Sequence, residues 1–220
     1  MEPDNLLAFL SLLGLLRAIE KGVPKWRPRA LWQSVPLRAE LHLAEAVGRA
    51  DLIAATDAGI RNVAEAYDVL DGTPSGPMKR CSKSCEAIPD GEFFELRNFR
   101  TISERSRYDR ARGQLLASLG SDGAAKRDGL EVFTSPLRTM FGQGHQHFPS
   151  RLQAIATQGG HQDERKLEQA LFEPWTYSDS SDSFRWDPNE DRRYAYQGGN
   201  PSERRNHVGT VSGANRLASI

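Results

Sequence analysis

The chain has 220 residues, of which 38% are hydrophobic, enough to bury a sizeable core and too many for a disordered polyelectrolyte. Lys plus Arg and Asp plus Glu number 29 each, so the formal net charge is zero. No global basic field marks a nucleic-acid binder, and any such contact has to be local.

The first element is "MEPDNLLAFLSLLGLLRAIEKG". Glu2 and Asp4 precede the apolar run, where a signal peptide carries positive charge. The run from Leu6 to Leu16 is too short for a membrane span, which needs about 20 residues. It reads as a helix buried nearly all round, capped by Asp4 or Asn5 and ended by Gly22. In "KWRPRALWQSVPLRAELHL", Trp26, Pro28, Ala30 and Trp32 alternate with Lys25, Arg27 and Arg29. That period of two gives a short edge strand, a turn near Pro36 and a second strand through "RAELHL". Residues 43–70 have helical spacing and read as two helices, or one broken near Gly48.

Residues 71–91, "DGTPSGPMKRCSKSCEAIPDG", are rich in Gly, Pro and Ser and read as a loop. The chain is therefore a single domain over 1–220, or two subdomains separated by that loop. Cys81 and Cys85 are too few for a disulfide framework, and no further ligands stand at zinc spacing. Reduced structural thiols in the cytoplasm are expected, with no metal and no cofactor. From Glu92 to Leu119 the pattern is helical and charged, and "SDGAAKRDG" is a loop. "LEVFTSPL" reads as a strand. "FPSRLQAIATQ" is a helix beginning near Pro149, and "DERKLEQALFEPW" one that stops at Pro174. The class is α+β, mainly helical, with a small antiparallel sheet. The chain stops at Ile220 without a charged tail, which points to a longer parent protein truncated at its C-terminus.

Three stretches could carry chemistry. In "FGQGHQHF", His145 and His147 share a side if the segment is extended and could reach one metal or phosphate; a third ligand is missing nearby. In "SFRWDPNEDRRYAYQGGNP", Asp187, Glu190 and Asp191 could hold a hard cation through oxygen. Arg185, Arg192 and Arg193 stand among them, and guanidinium forks would occupy those oxygens. The residues favour, in this order, a salt-bridged structural turn, phosphate contact by the unpaired arginines, and metal catalysis. Pro188 fixes the turn, Asp187 bonds its own backbone, and Trp186 and Tyr194 anchor it. In "NPSERRNHVGTVSGANRLA", Arg204, Arg205 and Arg216 add to the basic set and a glycine turn leads into a helix. The candidate nucleic-acid contacts are thus Arg185, Arg192, Arg193, Arg204, Arg205 and Arg216.

"NLLAFLSLLGLLRAI" followed by the tryptophan strand "KWRPRALW", then "FTSPLRTMFGQGHQHF", "LFEPWTYSDSSDSFRWDPNEDRRYAYQ" and "GANRLA", stand in an order that resembles proteins of subtype I-G (formerly I-U) CRISPR loci. The similar group accompanies the helicase–nuclease and large-subunit-like proteins of those loci. It usually opens on Asn-Pro, where this chain has Asn5 and Leu6. The resemblance implies a context of RNA-guided antiviral defence, with other CRISPR-Cas proteins as partners and crRNA or target DNA within reach. It carries no catalytic residue to this sequence.

Three functions follow as expectations. The first is a non-catalytic component or accessory of a type I interference complex, contacting proteins and a nucleic-acid backbone. The second is a nuclease or RNA-processing enzyme, metal-dependent or histidine-based, that would use His145, His147, Asp187 or Asp191. The third is a protein-only adaptor in which the apolar girth of helix 6–19 is partly an interface.

Overall fold

The computed structural model describes residues 4–65, 67, 88–89, 120–121, 131–134, 137, 148–158, 161–190 and 209–220. The chain divides into two compact units: Met1–Asn62 with Ala154–Ile220, and Val63–Gln153. The described elements are mainly helical with short antiparallel strands, as the α+β reading expects.

The first unit begins with helix α1, Leu6–Gly22. Asn5 is its cap: the side-chain oxygen accepts from the Ala8 N–H at 3.1 Å, one of the donors a helix start leaves open. Gly22 is the last helical residue, and the Val23 N–H closes the end on the Ile19 carbonyl at 2.8 Å. Leu7, Ala8, Ser11, Leu12, Gly14, Leu15, Ala18 and Ile19 are buried, all on one half of the helix. The other half is not: Leu6, Phe9 and Leu13 are 41%, 40% and 47% exposed. The expected all-round burial is therefore corrected. A helix needs only one apolar stripe to join a core, and α1 has two.

A single turn of 3₁₀ helix at Pro24–Trp26 leads into strands β1 (Arg29–Ser34) and β2 (Leu37–His42). They pair antiparallel with Trp32 opposite Ala39 and Ala30 opposite Leu41. Those four residues pack on the core and the alternate positions face away, which is the period-two pattern in the sequence. Trp26 lies in the 3₁₀ turn rather than the strand, and is buried.

Helix α2 spans Arg49–Ala64, beginning directly after Gly48. Residues 43–48 are not helical, so among the described residues of 43–70 there is one α-helix, beginning after Gly48. In the same unit, α4 (His161–Phe172) stops before Pro174, and α5 (Ser212–Ala218) follows a backbone bridge between Asp179 and Thr210. Arg49 ties the starts and ends of these elements together. Its Nε meets Glu168 at 2.9 Å and its guanidinium lies 4.2 Å over the Phe172 ring.

Leu12, Leu15, Ala18, Ile19, Trp26, Ile60, Leu167 and Leu217 form the core of this unit. Burying each of the larger side chains contributes roughly 1.5–3 kcal/mol. Close helix crossings make this packing work. A Cβ at Gly14 of α1 would sit 1.8 Å from the Leu217 carbonyl oxygen of α5, and one at Gly59 of α2 would sit 1.9 Å from the Ala18 carbonyl oxygen. Gly14→Ala should therefore lower stability by about 1–3 kcal/mol in urea unfolding, even though alanine favours the helix by about 1 kcal/mol. An unchanged midpoint would show that α1 and α5 do not cross at backbone contact.

The second unit contains a small antiparallel sheet of order β3–β5–β4, from Ile88–Pro89, Glu131–Thr134 and Gly120–Ser121. The strand expected in "LEVFTSPL" is β5. Two short strands were not expected. β3 falls in the stretch read as a loop, and β4 ends at the first residue of another. Helix α3, Phe148–Ala156, begins where Pro149 places it. The charged segment 92–119 and both cysteines lie outside the described residues.

Candidate functional site

The candidate site is the C-terminal block of the first unit, where the stretch 175–190 folds against α1, α4 and α5. Its anchor is aromatic. The Phe184 and Trp186 rings stack with centroids 4.3 Å apart at 22°, and both are buried. Between them Arg185 takes a left-handed backbone at φ 58°. The Phe184 N–H donates to Asn215 Oδ1 of α5 at 3.0 Å.

Asp187 starts the expected turn. One carboxylate oxygen accepts from the Asn189 N–H at 2.8 Å, and the Glu190 N–H donates to the Asp187 carbonyl at 3.0 Å. The other oxygen accepts from Asn5 Nδ2 at 2.9 Å and from the Tyr177 hydroxyl at 2.8 Å. The residue that caps α1 thus also fastens the C-terminal block to the start of the chain. Burial, and then the hydrogen bond to Asp187, pushes the Tyr177 hydroxyl up to about 12, so it stays a donor at neutral pH.

Glu190 is the second centre. It accepts from Ser183, Thr210 and Asn215. Asn215 Nδ2 also lies 2.8 Å from Thr210 Oγ1 and 3.2 Å from the Val211 carbonyl oxygen. Asp179 is the third. It pairs with Lys166 and accepts from the Ser212 N–H at 3.0 Å and hydroxyl at 2.6 Å, at the start of α5. Burial alone would raise its carboxyl, but the Lys166 and Ser212 hydrogen bonds outweigh it and hold the group below the usual carboxylate range. A shallow cavity of about 110 Å³ lies beside this pair, lined by Glu173, Trp175, Tyr177, Thr210 and others.

The sequence assigns the acids to arginine partners; for Asp187 and Glu190 the structure corrects this, while Asp191 lies outside the described residues. Asp187 is 0% exposed and Glu190 4%, and among the described residues their partners are Asn, Tyr, Ser and Thr together with backbone N–H. Neutral donors satisfy a buried carboxylate without a cation beside it. Arg216 is the second correction. It was placed among the nucleic-acid contacts, yet it is 1% exposed and its Nη1 lies 2.6 Å from Asp57 Oδ1 of α2. A buried guanidinium in the interior of the fold cannot reach a phosphate backbone. Arg185, the other described member of the basic set, is half-buried.

His145, His147, Asp191, Arg192, Arg193, Arg204 and Arg205 lie outside the described residues, as does Tyr194. Among the described residues no group of three His, Cys, Asp or Glu side chains converges to hold a metal. None of the described helices is long and apolar enough to cross a membrane. Asp187 and Glu190 accept from donors on several chain segments and so fasten those segments together.

Sequence reasoning missed Asn5 as a partner of Asp187, Tyr177 and Asn215 as bridging groups, and Asp57 as a buried acid. Asp57 left one signal: it interrupts "LIAATDAGI", an otherwise uncharged stretch of helix. The chain matches no protein-family model, no curated protein and no solved structure.

Proposed function

We propose that this protein is a non-catalytic component or accessory of a type I CRISPR-Cas interference complex of the I-G (I-U) kind, cytoplasmic, acting by contact with protein partners and with a nucleic-acid backbone. The observation that carries the contact role is the outer half of α1, where Leu6, Phe9 and Leu13 stand in solvent at helical spacing. Contiguous exposed apolar surface of this kind marks interaction sites. The C-terminal block supports the non-catalytic part, because Asp187 and Glu190 are committed to holding the fold. The type I context comes from the resemblance of the sequence blocks, and crRNA or target DNA is the nucleic acid that context offers.

Filter binding with crRNA and duplex DNA tests the nucleic-acid half. Binding is expected at low salt and falls as salt rises, with a log–log slope near −0.7 to −0.9 for each phosphate contacted. Arg192→Ala with Arg204→Ala should weaken it by about tenfold or more and flatten the slope, whereas Asp57→Leu with Arg216→Met, which replaces a buried pair, should leave the slope unchanged. No binding at low salt would remove nucleic acid from the proposal. Co-purification of the other proteins of its locus, lost on Phe9→Glu, tests the protein half. A preparation free of those proteins would end it.

A further inference from the structure

The outer side of the β1–β2 hairpin carries charge that the described fold does not use. Ala30, Trp32, Ala39 and Leu41 pack on the core, so Arg29, Leu31, Gln33, Arg38, Glu40 and His42 face away. From Lys25 to Glu45 there are four cations, Lys25, Arg27, Arg29 and Arg38, against two acids, Glu40 and Glu45, in a chain whose net charge is zero. Both acids are already matched. Glu45 meets Lys25 at 3.0 Å. Glu40 accepts from Gln33 and lies 3.8 Å from Arg38 and 3.6 Å from His42. Arg27 and Arg29 are exposed, and neither forms an ion pair among the described residues.

Arg27 also has a backbone that its residue type resists. It closes the 3₁₀ turn in the left-handed region, at φ 45° and ψ 59°. Glycine takes that conformation freely, whereas a side chain there strains against its own carbonyl. The turn would be served better by glycine, and the Arg27 side chain returns no hydrogen bond or ion pair to the described fold. Strain without an internal return directs attention to what the side chain does in solvent.

We infer that the outer side of the hairpin is a docking surface for the phosphate backbone of duplex nucleic acid, with Arg27 and Arg29 at its base and Arg38 at its far end. The inference rests on the nucleic-acid half of the proposed function and names a site for it. Arg38 stands opposite Gln33, four residues along β1 from Arg29. At 3.2–3.4 Å per residue that is about 13 Å, close to the axial rise of four nucleotides in a duplex strand. Guanidinium forks match phosphate oxygens two at a time. Trp26 and Trp32 are turned to the core, so no aromatic platform is offered to unstacked bases and the contact is with the backbone. A second copy would bring like charges together. On this side only Leu31 is apolar, too little for the core of a protein interface. A lipid surface would need the cations around the apolar tip at Val35 and Leu37. Arg27 and Arg29 lie at the opposite end, beyond the roughly 5–10 Å that an interfacial apolar face enters.

Fluorescence anisotropy of a labelled DNA duplex of about 20 base pairs, titrated with the full chain at several salt concentrations, tests the inference. The wild type should bind with a log–log salt slope of about −2 or steeper. Arg27→Ala with Arg29→Ala should weaken binding about tenfold and make the slope shallower by about 1.8, with the far-UV circular dichroism unchanged. Arg27→Gly alone should make the slope shallower by about 0.9 and leave the urea midpoint at or above that of the wild type. Glu40→Gln should tighten binding by about two- to fivefold, since it removes the acid from that side. Duplex bound by the Arg27 and Arg29 variants with the wild-type slope would overturn the inference and leave the nucleic-acid contact to Arg192 and Arg204. A loss of binding in Arg27→Gly that comes with a lower urea midpoint would make Arg27 a residue of the fold and overturn it as well. No binding by the wild type at low salt would overturn the inference together with the nucleic-acid half of the proposed function, and flotation with anionic vesicles in its place would give this surface to lipid.

Discussion

Asp57→Ala is expected to lower the free energy of unfolding by about 3–5 kcal/mol. Asp57 and Arg216 are 3% and 1% exposed, with 2.6 Å between carboxylate and guanidinium. The contact is an ion pair without hydrogen-bond alignment, and Arg216 Nε and Nη2 have no partner either among the described residues. Asp57 also pairs with Arg61 one turn along α2, but Arg61 is exposed and can be solvated. Removing Asp57 therefore strands one buried cation, that of Arg216. Most of the cost is that stranded charge, so the double change Asp57→Leu with Arg216→Met should recover nearly all of it. Urea unfolding of the two variants separates the cases. A loss below about 1 kcal/mol for the single variant would mean that Arg216 is not buried with Asp57 as its partner.

Asp187→Ala is the second large effect, about 3 kcal/mol or more. It leaves the Asn5 amide, the Tyr177 hydroxyl and the Asn189 N–H without their acceptor in a buried site. Each such donor costs about 1–3 kcal/mol where water cannot replace the carboxylate, and partial relaxation keeps the total below their sum. Loss of the Asn5 contact also loosens the cap of α1. Asp187→Asn should cost less, because the turn acceptor to Asn189 can remain.

Much of the fold was legible because its signals are local. The cap at Asn5, the alternation through Ala30 and Trp32, the turn at Pro36, and the stop before Pro174 each depend on a few neighbouring residues. The outer face of α1 was not legible, since an apolar residue carries the same signal whether the fold covers it or leaves it open. β3 and β4 are too short to show a period. The C-terminal block was half legible. Asp187 was read correctly as a turn former, because that bond spans two residues. Its other partners, Asn5 and Tyr177, lie 182 and 10 positions away, and no spacing rule reaches them. Counting arginines near the acids misled for the same reason. Proximity in sequence offered Arg185, and the fold brought Ser183, Thr210 and Asn215 to Glu190 instead.

The central proposal is that the acids of the C-terminal block hold the fold and carry out no reaction. It is tested most directly by urea unfolding of the double variant Asp187→Ala/Glu190→Ala, run beside cleavage of labelled RNA and DNA by the wild-type chain with Mg²⁺ or Mn²⁺. The expected result is a loss of about 4 kcal/mol or more, or of cooperative unfolding altogether, with the strands left uncut by the wild type. A double variant that unfolds at the wild-type midpoint, together with a wild-type cleavage activity that the variant lacks, would contradict it.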